Sequence, residues 1–264
     1  MAATVMFVHG PWVTSSCWDA FRGFFEDRGV ATIAPGWPGK GRTVEEIRAD
    51  PSPLAGLGAR QIIEHYAAAI EALPQPPALI GHSFGGLFVQ VLLARGLGSA
   101  GIAIGSAPPK GILAWQPTTL RSLGGVLANP GNRGRVVHWT YGRFRWAVAN
   151  TLSEKAARAA YERHITPETG RIFFQGLMSF VDRASPFAID FERAERAPLL
   201  LIAGGKDRLV PPSVSRANYR RYAMSPGITD FKEFAGRSHW IIAQDGWEEV
   251  AGHACYWLIR HGAV

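Results

Sequence analysis

Residues 76–96 read PPALIGHSFGGLFVQVLLARG, and the fold turns on how this stretch is read. A short apolar run, Ala78 to Ile80, leads into Gly81-His82-Ser83-Phe84-Gly85, and a second, longer apolar run follows. A short apolar run that ends at glycine, followed by apolar residues over helical length, describes a buried strand turning sharply into a helix. Small residues around Ser83 permit that turn. Two roles suit a serine there: a helix cap, or a nucleophile lifted above the end of a sheet.

The segments on either side extend the pattern. TVMFV (4–8), ATIAP (31–35), ALIG (78–81), GIAIGS (101–106), PLLLIAG (198–204) and TDFKEFA (229–235) read as strands. Most are nearly all apolar, as strands buried on both faces are. SSCWDAFRGFFEDRG (15–29), LGARQIIEHYAAAIEALP (57–74) and WEEVAGHACYWLIRHG (247–262) read as helices that stop at glycine or proline. The alternation predicts an α/β fold: a mostly parallel sheet of about six strands with helices on both faces. It breaks between residues 108 and 197, where helical segments such as SEKAARAAYERHI and GRIFFQGLMSF dominate. The expected division is a core formed by 1–107 and 198–264, with a helical insertion at 108–197 between strands.

Composition narrows the classes. The chain has 264 residues, and 47% of them are hydrophobic, enough for a sizeable core without covalent staples. Net charge is +7; residues 110–197 hold 13 basic and 7 acidic residues, so this segment carries +6 of it. Arg121, Arg133, Arg135, Arg143 and Arg145 fall there without an intervening acid. No nucleic-acid motif accompanies them, so a basic surface that mildly steers anionic ligands is expected rather than a nucleic-acid partner. Cys17 and Cys255 match neither a disulfide framework nor a metal-ligand spacing, and no metal or cofactor is expected. The start, MAATVMFVHG, lacks the features of a secretory signal, and no apolar run reaches membrane-spanning length. The expectation is a cytoplasmic protein with no membrane partner; a homodimer is left open.

A serine hydroxyl needs a base, usually an oriented histidine. Among eight histidines, only His239, in EFAGRSHWII, combines a loop after the last strand with the right chain order. The imidazole in turn needs a carboxylate to fix its tautomer. Asp207, in PLLLIAGGKDRLVPP, follows an apolar strand and two glycines. Asp182 and Asp190 fall in the insertion, Asp230 begins the last strand, and Asp245 lies beyond His239.

Ser83, Asp207 and His239 stand in the chain order of the α/β-hydrolase fold, and the sequence resembles that superfamily from residue 4 to 240. FVHGPW resembles its oxyanion loop, GHSFGG its nucleophile elbow, GGKDRLVPP its acid loop and GRSHW its histidine loop. HGPWVTSSCW looks most like the small plant-type esterase and hydroxynitrile lyase branch. By this resemblance the 108–197 segment would be a helical cap. The oxyanion wall would be formed by Phe84 with Pro11 and Trp12. One departure stands out: the residue after His-Gly, which in similar enzymes donates a backbone N–H, is Pro11, which has none. Trp12 N–H, or a side chain such as Thr14 or Ser15, would have to replace it. Trp240 stands where similar lyases carry a lysine, which disfavours lyase chemistry.

The resemblance implies a serine hydrolase for a small-molecule carboxylic ester, working through an acyl-enzyme. Other chemistry on the same triad stays open: C–C bond or lactone hydrolysis, or perhydrolysis. So does a low-turnover ligand receptor of the same fold. Trp12, Trp115, Tyr141, Phe144, Trp146, Phe173 and Trp240 are candidates for binding a medium-sized apolar or aromatic substrate. The arginines of the insertion leave room for an anionic substituent.

Overall fold

The computed structural model describes residues 3–113, 116–193 and 195–264; Trp115, a candidate for substrate binding, lies outside them. The first half is β1 (Thr4–Val8), α1 (Asp19–Glu26), β2 (Ala31–Ile33), α2 (Val44–Ala49), α3 (Ala59–Glu71), β3 (Ala78–His82), α4 (Phe84–Ala94) and β4 (Ala100–Ile104). Residues 105–198 hold α5 (Pro117–Leu127), β5 (Val136–Val137), α6 (Tyr141–Ala147), α7 (Glu154–His164), β6 (Glu168–Thr169) and α8 (Arg171–Met178). The chain then returns through β7 (Leu199–Gly204), α9 (Pro212–Arg221), β8 (Thr229–Phe234) and α10 (Trp247–Arg260).

The main sheet runs β2-β1-β3-β4-β7-β8, with every neighbouring pair parallel. The six strands read from the apolar runs are these six. All residues of β3, β4 and β7 are buried, which is why their sequences do not alternate. The edge strand β8 alternates exposed and half-buried residues and carries Asp230, Lys232 and Glu233, charges that discourage edge pairing with another chain. Helix α4 buries nine of its eleven residues. This explains an apolar run without helical periodicity.

The strand order positions the site. The chain leaves β1 outward to β2, then returns to lay β3 on the other side of β1. Where the direction of winding reverses, the loops after β1 and β3 diverge and leave a crevice at the strands' carboxyl ends. His9 to Thr14 therefore face Ser83 across it. His9 is fully buried: its Nδ1–H donates to Gly10 O at 2.7 Å, and its Nε2 accepts Trp37 N–H at 3.1 Å. It joins the loops after β1 and β2.

The insertion contains a feature that sequence patterns did not suggest. β5 and β6 form a two-residue antiparallel pair. β6 and its flanks are joined to the first half of the chain along one seam. Arg48 donates to the carbonyls of Tyr161, Glu162 and Ile165, Thr169 donates to Leu57 O, and Thr166 N–H donates to Trp12 O at 2.8 Å.

Candidate active site

Ser83 sits between β3 and α4 with φ 59° and ψ −123°. Only it and Trp12, at φ 63°, have positive φ among the described non-glycine residues. This conformation costs an L-residue of order 1–3 kcal/mol and tends to gather at functional sites. The glycines make the turn possible. A side chain on Gly81 would collide with the Gly85 carbonyl, and one on Gly85 with the Val8 carbonyl. The backbone around Ser83 is pinned by Ser83 N–H to Ile104 O at 2.9 Å and by Ala107 N–H to Ser83 O at 3.0 Å.

Asp207 lies in the loop after β7 and is 5% exposed. Its Oδ1 accepts the N–H groups of Leu209 and Val210, both at 2.8 Å, and its Oδ2 accepts His239 Nδ1–H at 2.6 Å. With Nδ1 engaged, the free face of the His239 ring is Nε2. His239 and Ser83 line the same small chamber, together with Trp139, Phe144 and Trp240. The His239 loop has a second support: His82 Nε2–H donates to the His239 carbonyl at 2.8 Å. The His82 ring thus lies beside that of His239, at a centroid distance of 4.6 Å. None of the rival aspartates takes part in this arrangement: Asp230, for example, accepts Trp257 Nε1–H at the far sheet edge.

Burial keeps several imidazoles neutral. Desolvation first, and then neighbouring charge, pushes His9 down to about 3, His164 to about 4, and His82 well below the ordinary value. In the unfolded chain these groups take up a proton near pH 6.5. Their contribution to stability is complete above that pH and is lost as pH falls toward the folded-state values. Stability is therefore expected to fall between about pH 6.5 and 4, by up to about 1.4 kcal/mol per pH unit for each group. Calorimetry across this window checks it; a melting temperature independent of pH would contradict it.

The other wall of the crevice corrects an expectation. Trp12 N–H is not free to replace the donor missing at Pro11. It donates to Glu168 Oε2 at 3.0 Å, a carboxylate brought in by β6. Thr14 Oγ1 is also committed, bonded to Ser16 Oγ at 2.8 Å as the cap of a short 3₁₀ turn. Phe84 N–H, at the first position of α4, has no helical partner. Pro11 and Trp12 contribute apolar surface instead, and Trp12 is stacked between Trp139 and Phe173, at centroid distances of 3.7 and 4.4 Å.

Glu168 and Lys40 are both fully buried. Lys40 Nζ donates to Glu168 Oε2 at 2.6 Å, Val13 O at 2.9 Å and Thr166 Oγ1 at 3.3 Å. Glu168 Oε1 accepts Thr169 N–H at 2.8 Å. Burial pushes the Lys40 ammonium pKa down, and the adjacent carboxylate opposes that shift. The cluster fixes both the N–H and the carbonyl of Trp12, which holds its positive φ.

A larger chamber of about 120 Å³ adjoins the small one, sharing Pro11, Trp12 and Leu209 with it. Phe84, Leu87, Leu123, Leu127 and Phe173 are among its walls, and among the described residues no charged side chain lines it. Of the expected substrate residues, Trp12, Phe144, Phe173 and Trp240 line one chamber or the other. Tyr141 and Trp146 line neither: the Tyr141 hydroxyl bonds Glu154 at the surface, and Trp146 lies under the guanidinium groups of Arg121 and Arg208. Among the described residues, no arginine lines either chamber. The leucines of α5 were missed because an apolar stripe at helical spacing reads as core.

A family model described as "Alpha/beta hydrolase family" matches residues 5–253, and the chain belongs to that family. It is a hydrolase. No curated protein matches it. Solved structures share the fold at low identity. A monoacylglycerol lipase from Paleococcus ferrophilus is 22% identical with a TM-score of 0.68, covering 98% of this chain and 94% of that one. An extracellular α/β-hydrolase from a Paenibacillus species is 18% identical with a TM-score of 0.68, covering 95% and 96%. A methylesterase from Arabidopsis is 15% identical with a TM-score of 0.68, covering 97% and 99%. Ester hydrolysis in general is consistent with these neighbours. Among the described residues, no helix is long and apolar enough to cross a membrane.

Proposed function

We propose that Ser83 is the nucleophile, His239 its general base and Asp207 the orienting acid of a carboxylic ester hydrolase, with residues 108–197 as its cap. The observation that carries this reading is the buried His239–Asp207 bond of 2.6 Å, set beside a strained serine in a common chamber. In the forward step His239 Nε2 takes the Ser83 proton as Oγ attacks the ester carbon. Phe84 N–H faces the developing oxyanion. The same imidazole then protonates the leaving alcohol, and water releases the acyl group from Ser83 by the reverse sequence.

Proton delivery orients the substrate. The leaving oxygen must reach His239, which lines the small chamber, so the alcohol belongs there. The acyl group then extends past Phe84 and Leu87 into the larger, uncharged chamber. For p-nitrophenyl esters, kcat/KM is expected to rise by about two- to fourfold per added acyl methylene, until the chamber is full. A carboxylate at the end of the acyl chain is expected to abolish that gain. A profile independent of chain length would overturn the assignment of the chamber.

The direct test of the nucleophile is a fluorophosphonate probe followed by peptide mass spectrometry. The adduct is expected on Ser83, and a chain that stays unlabelled while folded would overturn the reading. One observation favours a second reading, a slow enzyme or a ligand receptor. Pro11 has no N–H, and that of Trp12 is held by Glu168. Each missing donor typically costs about 2.7–4 kcal/mol of transition-state stabilisation. Labelling over hours rather than minutes, with little ester turnover, is what that reading requires.

A further inference from the structure

The mouth of the larger chamber is an unusual surface for a monomer. Leu120 and Phe180 line the chamber, yet are 44% and 42% exposed, so they form its rim. Next to lining residues in the chain, and pointing outward, stand Leu113, Met178 and Val181 at 59%, 50% and 71% exposure. The rim is flanked by cations. Arg121 follows Leu120, Arg183 lies two residues after Val181, and Lys110 reaches the Asp182 carbonyl at 2.7 Å. Isolated exposed apolar residues need no explanation, but a cluster around the opening of an apolar cavity does.

We propose that this rim docks on an anionic lipid surface, which the molecule touches without inserting a spanning segment. Three observations select that occupant. The rim itself is apolar. Its flanks are net basic: Lys110, Arg121 and Arg183 stand against the single exposed acid Asp182. The opening leads into a chamber without charged walls, suited to a guest that leaves an apolar phase. A second copy of the chain fits worse, because a two-fold contact through this face would set one basic insertion against another. The sequence offers no spanning segment and so no sign of a membrane partner; surface docking needs none. The inference rests on the ester hydrolase reading only for what the surface would deliver, and docking is measured separately.

The test is co-sedimentation of the intact protein with phosphatidylcholine vesicles containing about 30% phosphatidylglycerol, in about 50 mM salt. Wild type is expected in the pellet, and raising salt to about 500 mM is expected to release most of it. Met178→Ser with Val181→Asp changes two exposed side chains outside the chamber walls, and is expected to lower partitioning by about tenfold or more. Its melting temperature and its turnover of a dissolved short-chain ester serve as controls for folding. Wild type remaining in the supernatant, or a variant that pellets equally well, overturns the proposal. So does a concentration-dependent dimer that the same double substitution disrupts, since a second copy would then be the occupant. If docking fails while Ser83 still takes the fluorophosphonate, the hydrolase reading stands and only the surface is lost.

Discussion

Replacing Ser83 by alanine is expected to lower kcat for a p-nitrophenyl ester by about 10⁶-fold, the scale seen when the nucleophile of a serine triad is removed. The residual rate would come from substrate binding and the Phe84 N–H, neither of which needs the hydroxyl. The fold should not notice the change. Serine and alanine meet nearly the same penalty at φ 59°, and the turn is held by backbone bonds to Ile104 and Ala107. The melting temperature is therefore expected to stay within about 2 °C of wild type, less than 1 kcal/mol for a chain of this size. Steady-state kinetics and calorimetry on one preparation decide the matter. Activity within about tenfold of wild type would remove Ser83 from the chemistry.

The second large effect concerns stability. Truncating Glu168 to alanine leaves Lys40 without a counter-ion where no water reaches, and also removes the acceptor of Trp12 N–H. Breaking a buried pair in this way typically costs about 3–5 kcal/mol. At about 2–4 °C per kcal/mol, the melting temperature should fall by roughly 6 °C or more. Glu168→Gln is expected to be milder. Its carbonyl still accepts from Trp12, and Lys40, already pushed toward its neutral form by burial, sheds its proton at less cost. The double variant Lys40→Met with Glu168→Leu is expected to recover most of the loss, because two apolar groups of similar size remove both desolvation penalties. A double variant no more stable than Glu168→Ala would show that hydrogen bonds, not charge burial, dominate the cluster.

The sequence carried the sheet because its strands are fully buried and therefore uniformly apolar. All six were located to within two residues at either end, with β2 and β4 each ending two residues before the run read for it. Ser83, Asp207 and His239 were legible for a different reason: each follows a strand, in a recognisable order. Lys40 and Glu168 were not. They are 128 residues apart, and a lone lysine and a lone glutamate in polar loops look like solvated charges. β6 is two residues long, too short for any periodicity. The commitment of Trp12 N–H could not be foreseen, since its acceptor comes from that hidden strand. The chamber walls were half legible: aromatic residues drew attention, while the leucines of α5 that enclose the same space did not.

The seam between β6 and the first half of the chain also sets how the molecule can move. Swinging residues 108–197 away as one body would have to unmake the Lys40–Glu168 pair, both backbone bonds of Trp12 and the three carbonyls gathered by Arg48. The opposite margin is tied as well: Trp240 N–H donates to Val148 O at 3.1 Å, Asn150 Nδ2 to Lys206 O at 3.0 Å and Thr119 Oγ1 to Leu209 O at 2.9 Å. The segment is thus fastened along both margins, and the β6 seam is the fastening that holds a fully buried ion pair. Parting that seam would break a buried ion pair, so the Trp12 wall that faces Ser83 is the part of the crevice least free to shift.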